Sequence, residues 1–187
     1  EVMHQYEKIN GLYQLLSGNR KNSRMDIETY VQRHYLEQIL EAANQRFQDM
    51  SAGQFELRMC DIDKAGTGKN RGLDLMVYSA VTGKVREVRT LSGGESFMAA
   101  LSLALGMADQ IQESSAAINL DMMFIDEGFG SLDEHSRDQA VKVLQNMAEG
   151  EKLIGIISHV TELKQEIEDQ LIVTKDDQGS HTRWQIS

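Results

Sequence analysis

The 187-residue sequence contains no proline and only one cysteine, and no apolar run approaches the roughly 20 residues that a membrane span needs. Proline interrupts helices, so its absence is natural for a chain whose ends run into long helices. The lone Cys60 excludes an internal disulfide and a cysteine-cluster zinc site within this chain, and it fits a reducing, cytoplasmic setting. Glu1–Glu7 has neither the basic nor the apolar part of a signal peptide, and without an initiator Met the chain looks excised from a longer one.

Positive charge is also scarce. The sequence has 19 basic and 29 acidic residues, a net charge of −10, which by itself argues against a nucleic-acid binder. The excess of negative charge lies mostly in the last part of the chain. From Asp121 onward there are 14 acidic and 6 basic residues, whereas the earlier part has 15 acidic and 13 basic residues. An anionic partner would therefore meet the first part, the remainder of the protein or another subunit.

The first apolar residues recur at spacings of four and three, which is the pattern of a heptad seam: Val2, Tyr6, Ile9, Tyr13 and Leu16. From the sequence alone, an ordinary amphipathic helix fits these two heptads at least as well as a coiled coil. Gly18 is expected to stop this helix and to begin a loop. A second helix is predicted over Asp26–Met50, and residues 19–187 are predicted to form one further domain.

After Gly53 the apolar period changes from helical to alternating, which predicts a strand at Phe55–Met59 and a hairpin further on. From Leu91 onward helices and strands alternate, with helices at Gly94–Ile111, Asp133–Met147 and Thr161–Ile167 and strands at Met122–Ile125 and Leu153–Ile157. A final hairpin is expected around residues 176–179. Apolar strands alternating with helices predict an α/β fold with a mostly parallel sheet flanked by helices, plus β-hairpins.

Met122–Ile125 is an apolar strand that is predicted to be buried on both faces. Two carboxylates, Asp126 and Glu127, directly follow it, at the sheet edge where open α/β sheets bind ligands. Successive residues of a strand point in opposite directions, so the two acids can have different tasks. In a nucleotide hydrolase Asp126 would hold Mg²⁺ and Glu127 would orient or deprotonate the attacking water. A strand that simply ends in solvated acids is the alternative.

Three further segments can contact a phosphate. Leu91–Glu95 is predicted to join a strand to a helix. Ser92 offers a hydroxyl, while Gly93 and Gly94 allow close approach to the start of the helix; a serine-capped helix start is the alternative. Gly130–Asp133 fits a helix cap or a functional loop, and the two interpretations are compatible with each other. His159 ends a second apolar strand at the same sheet edge as the two acids, where an imidazole could contact a terminal phosphate.

Each segment alone is common, but their order and spacing resemble the ABC ATPase family. Four motifs follow one another over about 70 residues of the sequence. By this resemblance, Ser92, Gly93, Gly94 and Glu95 form the signature motif that contacts the γ-phosphate of ATP on the opposite subunit. The resemblance also implies that Asp126 is the Walker B acid, Glu127 the catalytic base, Asp133 the D-loop aspartate and His159 the switch histidine.

The P-loop that such ATPases need, G-x-x-x-x-G-K-[ST], is missing. Gly68-Lys69 is the only candidate, but Asp63 stands at the first glycine position and Asn70 at the hydroxyl position. Residues 65–70 are therefore predicted to be a flexible turn. We expect the P-loop to lie in an N-terminal lobe outside this chain, so that this chain alone does not hydrolyse ATP.

Within the ABC ATPases, the glutamate of the signature and the run Gly128–Asp133 resemble the SbcC family of SMC-like ATPases, as do Ile154–Val160 and Tyr35–Met50. This resemblance implies that residues 1–18 are the root helix of a coiled coil and that residues 19–187 are the C-terminal lobe of the head. Another SMC-like ATPase, of the chromosome-condensation or RecN repair type, is the main alternative. A transporter ATPase is disfavoured by Glu95 and the run Gly128–Gly130. A non-hydrolytic adaptor is disfavoured by the retained residues Asp126, Glu127, Ser92 and His159.

The resemblance implies a cycle in which two heads enclose two ATP molecules with Mg²⁺. Head engagement would change the coiled-coil angle and control an SbcD-type nuclease partner on double-stranded DNA ends and hairpins, in repair and recombination. Zinc would bind only at a hook outside this chain, and no membrane partner is expected. The implied location is the cytoplasm, with the nucleoid.

Overall fold

The computed structural model describes residues 2–17, 25–61, 72–114, 120–148 and 152–186. The chain divides into two compact units, Glu1–Asn119 and Leu120–Ser187. The predicted stop at Gly18 and the predicted turn at residues 65–70 lie outside the described residues. Within the described residues, no helix combines the length and the apolar character needed to cross a membrane.

The first unit begins with two helices, α1 (Val2–Leu16) and α2 (Ile27–Met50). The apolar residues of the α1 heptad pattern are all exposed, from 39% for Leu16 to 80% for Val2. Asp26 caps α2, and its carboxylate accepts a hydrogen bond from the Thr29 backbone N–H at 2.7 Å. The helix is therefore confirmed close to its predicted bounds, because the cap satisfies a backbone donor that the first turn leaves free.

A three-stranded antiparallel sheet follows α2, with strand order β1 (Phe55–Met59), β2 (Leu75–Ser79) and β3 (Lys84–Glu87). Asn44 of α2 binds β1 through both ends of its amide. Its Nδ2 donates to the Leu57 carbonyl at 2.9 Å, and its Oδ1 accepts from the Leu57 N–H at 2.7 Å. Asn44 thus satisfies backbone groups that an edge strand would otherwise leave unpaired.

Helix α3 (Gly93–Ser114) completes the first unit and packs against α2. The helices approach closely at Gly106, where an added β-carbon would lie 2.7 Å from the Ile39 carbonyl oxygen. Arg46 of α2 forms an ion pair with Asp109 of α3, with a distance of 2.6 Å between nitrogen and oxygen. The buried side chains come from both helices and from the sheet, and the largest are Phe47, Met50, Leu57, Val77 and Leu105.

The second unit contains the parallel pair β4 (Met122–Asp126) and β5 (Leu153–Ile157). Helix α4 (Glu134–Ala148) connects the two strands and packs against β5. The short helix α5 (Leu163–Glu166) and the hairpin of β6 (Gln170–Asp176) and β7 (Gly179–Gln185) follow. The α/β class is confirmed, and among the described residues the parallel part is this one pair of strands.

One expectation about β4 is wrong. Its apolar run predicts burial on both faces, yet Met122 is 54% and Phe124 is 65% exposed. Their register partners on β5 are Leu153 and Gly155, and Leu153 is also more than half exposed. The pair of strands is apolar on both faces, but the described part of the chain covers only one of these two faces.

Candidate functional site

The segment with the glycine pair joins a 3-10 helix (Val88–Thr90) to α3, and not a strand to a helix as the pattern suggested, because β3 ends at Glu87. Ser92 and Glu95 form a reciprocal capping box. The Glu95 N–H donates to Ser92 Oγ at 3.2 Å, and the Ser92 N–H donates to Glu95 Oε2 at 2.8 Å. The first turn of α3 leaves the N–H groups of Gly93 and Gly94 without intrahelical acceptors, as an anion-binding helix start requires.

Arg86 of β3 also contacts this box, which the sequence pattern did not reveal. Its Nη2 donates to Glu95 Oε2 at 3.1 Å and its Nη1 to the Thr90 carbonyl at 2.7 Å. Arg86 and Glu95 are both partly buried, with 34% and 26% of the side chain exposed. The segment before the glycines is therefore bound to the first turn of α3 by a charged side chain.

In the second unit, Asp126 ends β4 and Glu127 follows it. Glu127 has a left-handed backbone with φ of 60°, and Gly128 follows with φ of 98°. The Glu127 N–H still donates to the Ile157 carbonyl of β5 at 2.9 Å. The chain thus leaves the sheet in a sharp turn directly at the two acids, a backbone that a non-glycine residue adopts only at a cost of about 1–3 kcal/mol.

His159 lies beside Glu127, as their positions after two neighbouring parallel strands predict. Its Nδ1 is 2.9 Å from a carboxylate oxygen of Glu127. With an ionised carboxylate, which only accepts hydrogen bonds, Nδ1 is the donor of this contact. The Glu127 carboxylate keeps further lone pairs with which it can hold a water molecule, and the imidazole side chain is 82% exposed.

Asp133 caps α4, so the cap interpretation of Gly130–Asp133 is correct. Its two carboxylate oxygens accept from the Ser136 N–H at 2.8 Å and from Ser136 Oγ at 3.0 Å. These hydrogen bonds, first of all the one from the backbone, hold the pKa of Asp133 below its ordinary value. The exposed carboxylate is thus kept ionised and held in one orientation.

The structure therefore brings Glu127 and His159 into contact. Asp126 directly precedes Glu127 and is the last residue of β4. Ser92 and Glu95 contact each other in the other unit. Among the described residues, no group of three or more His, Cys, Asp or Glu side chains could hold a metal ion by itself.

A family model described as SbcC/RAD50-like, Walker B motif, matches residues 73–146. The chain is 46% identical to the SbcC component of the nuclease SbcCD of Treponema pallidum over 94% of its own length, and 44% identical to the same component of Vibrio cholerae over 96%. The chain spans 16% and 18% of the length of these two relatives.

Solved structures with a similar fold include SMC ATPases and SMC head domains. One comes from work on ATP-driven dimerization and DNA-stimulated activation of SMC ATPases. It has a TM-score of 0.64 at 15% identity, and the matched region covers 83% of this chain and 88% of the solved chain. The Smc head of Pyrococcus furiosus, bound to the C-terminal domain of ScpA, has a TM-score of 0.59 at 17% identity, with coverage of 83% and 36%. At such identities the likeness supports the fold alone.

Proposed function

We propose that this chain, which belongs to the SbcC/RAD50-like family, forms the C-terminal lobe of an ABC-type ATPase head. The observation that carries the proposal is the contact between Glu127 and His159 at the carboxyl ends of β4 and β5. A carboxylate that contacts an imidazole, each placed just after one of two neighbouring parallel strands, can orient a water molecule and accept its proton. In this proposal Glu127 is the catalytic base and His159 the switch histidine.

The nucleotide would be ATP with Mg²⁺, and the chemistry of the donors fits this pair. Mg²⁺ takes oxygen ligands and usually keeps several waters beside one or two carboxylates and substrate phosphates, which agrees with the single acid Asp126 at the strand end. When bound, Mg²⁺ would neutralise charge on the phosphate oxygens. Asp133 would act as the D-loop aspartate, and Ser92 to Glu95 would contact ATP on a second head.

The P-loop would come from an N-terminal lobe of the same polypeptide, outside this chain. The exposed face of β4 and β5 supports this view, because it presents Met122, Phe124, Leu153 and Ile157, each more than half exposed. Apolar patches of this kind mark surfaces that another element covers. Without that lobe the phosphates would lack their cradle, so we expect the isolated chain to be inactive.

The whole protein would act as the ATPase of an SbcCD-type nuclease. Its partners would be a second identical head, an SbcD-type nuclease and double-stranded DNA ends or hairpins, in repair and recombination in the cytoplasm at the nucleoid. Support comes from the relatives, which are SbcC components of the nuclease SbcCD. The exposed heptad residues of α1 support its role as the root of a coiled coil.

Reconstitution tests this function. The chain alone is expected to show no ATPase activity, and addition of the P-loop lobe of the same protein is expected to restore it. Glu127→Gln should then abolish turnover while ATP-bound head dimers persist, because the amide cannot take a proton from water. Glu162→Gln, at an exposed position three residues after His159, is the matched control and should keep full turnover. Full turnover by Glu127→Gln would refute the assignment of the base.

The second candidate is another SMC-like ATPase, of the chromosome-condensation or RecN repair type; it shares the fold of the SMC structures, so the fold does not distinguish the two candidates. The two candidates differ in the remainder of the protein. A zinc-binding hook and a nuclease that co-purifies with the full-length protein would support the SbcC-type function. A stable complex with a ScpA-like protein and no nuclease activity would favour the second candidate.

A further inference from the structure

Arg86 is six residues before Ser92 and reaches the signature segment from a different element, β3. One of its guanidinium nitrogens, Nη1, donates to both the carbonyl and the hydroxyl oxygen of Thr90, at 2.7 and 3.3 Å. The other, Nη2, donates to Glu95 at 3.1 Å. The guanidinium carbon also lies 5.6 Å from the centre of the Phe55 ring. Backbone, charge and aromatic contacts thus hold this side chain in one place.

Glu95 connects Arg86 to the backbone of the signature. The same oxygen, Oε2, accepts from Arg86 and from the Ser92 N–H, the latter at 2.8 Å. A carboxylate that is fixed on one side by a guanidinium has little rotational freedom, so the Ser92 backbone that it binds is also fixed. The Ser92 hydroxyl accepts from the Glu95 N–H and keeps its own hydrogen to donate to an anion.

Electrostatics gives Arg86 a second effect. A carboxylate within one helical turn of a phosphate site repels the phosphate, and a guanidinium bonded to it cancels that charge. A glutamine in place of Glu95 would need no such cation, because it is neutral. A signature that ends in glutamate therefore requires a positive partner, and Arg86 is the cation that bonds to Glu95.

We propose that Arg86 is a positioning residue of the signature: it orients and neutralises Glu95 so that the Ser92 segment can receive the γ-phosphate of ATP held by a second head. This inference rests on the proposed function. Arg86 acts through Glu95 and does not itself contact the nucleotide. It therefore matters for engagement of two heads and not for binding of ATP to one head.

The test uses the full-length ATPase and measures the ATP concentration at which half of the heads dimerise. Arg86→Gln should raise that concentration by about tenfold, the size expected for one uncompensated nearby charge. Affinity for ATP at protein concentrations too low for dimerisation should not change. Arg89→Gln is the matched control, because Arg89 pairs with Glu87 and is 81% exposed; it should behave like the unsubstituted protein.

Rescue separates this role from a merely structural one. In the double variant Arg86→Gln with Glu95→Gln, no bare carboxylate remains, so dimerisation should return to within about twofold of Glu95→Gln alone. The defect of Arg86→Gln should also shrink as salt rises from about 0.05 to 0.5 M, because salt screens the repulsion. A defect that Glu95→Gln does not rescue, or no defect at all, would overturn the inference.

Failure of the proposed function gives a different result. If the unsubstituted protein does not dimerise with ATP, the function itself is refuted, and the role of Arg86 with it. If the unsubstituted protein dimerises with ATP and Arg86→Gln does so equally well, only the role of Arg86 is refuted.

Discussion

Gly106→Ala is expected to destabilise the chain, although helix propensity alone predicts the opposite. The new β-carbon would lie 2.7 Å from the Ile39 carbonyl oxygen and 2.8 Å from the Ala43 backbone nitrogen. Both are backbone atoms of α2 and cannot rotate away, so α2 and α3 must separate. Overpacking costs about 1–3 kcal/mol, and two backbone clashes favour the upper end. Alanine regains about 1 kcal/mol of helix propensity, so the net loss is about 2 kcal/mol.

Thermal unfolding of the head assembled with its P-loop lobe, followed by circular dichroism, measures this loss. For a domain of this size, about 2 kcal/mol lowers Tm by about 4–8 °C. Ala104→Gly, at an exposed position of the same helix, is the matched control and should lose only the roughly 1 kcal/mol of helix propensity. A Tm that stays the same or rises in Gly106→Ala would show that the close approach of the helices does not limit this site.

Asn44→Ala leaves the backbone groups of Leu57 without side-chain partners and should lower the urea midpoint by the equivalent of about 2 kcal/mol; an unchanged midpoint would contradict the role of the amide. Asp133 has a lowered pKa, so its stabilisation is complete above its unfolded pKa of about 3.9 and is lost as pH falls through the lower folded value. Asparagine at position 133 also caps a helix but does not titrate. In Asp133→Asn, the free energy of unfolding, measured between about pH 6 and 2, should therefore lose the pH-dependent part that comes from Asp133. The same pH dependence in both proteins would contradict the role of the Asp133 carboxylate. Gly128→Ala forces a side chain onto a φ of 98° and should cost about 1–2 kcal/mol and reduce ATPase activity. Gly130→Ala, where a β-carbon meets only an ordinary contact, should change stability little, and equal effects at both glycines would refute the argument.

Much of the local structure follows from pattern alone. The strand at Leu153–Ile157 and the helix after Asp26 lie where the sequence predicts them, because apolar period and capping chemistry act over a few residues. The neighbourhood of Glu127 and His159 is also predictable, since parallel strands end at one edge of a sheet. The contact distance of 2.9 Å is not predictable from strand periodicity, because it depends on the left-handed turn at Glu127.

By itself the sequence determined the order of the elements, the four motifs and the absence of a P-loop, since these depend on residue type and spacing. Only the tertiary structure decided that β4 has one exposed apolar face, because periodicity shows that a strand is apolar and not what covers it. The tertiary structure likewise decided that Arg86 reaches Glu95, because a contact between a strand and a helix start depends on how the chain folds back. The family motifs can thus be recognised from the sequence, whereas the side chains that orient them can be identified only from the tertiary structure.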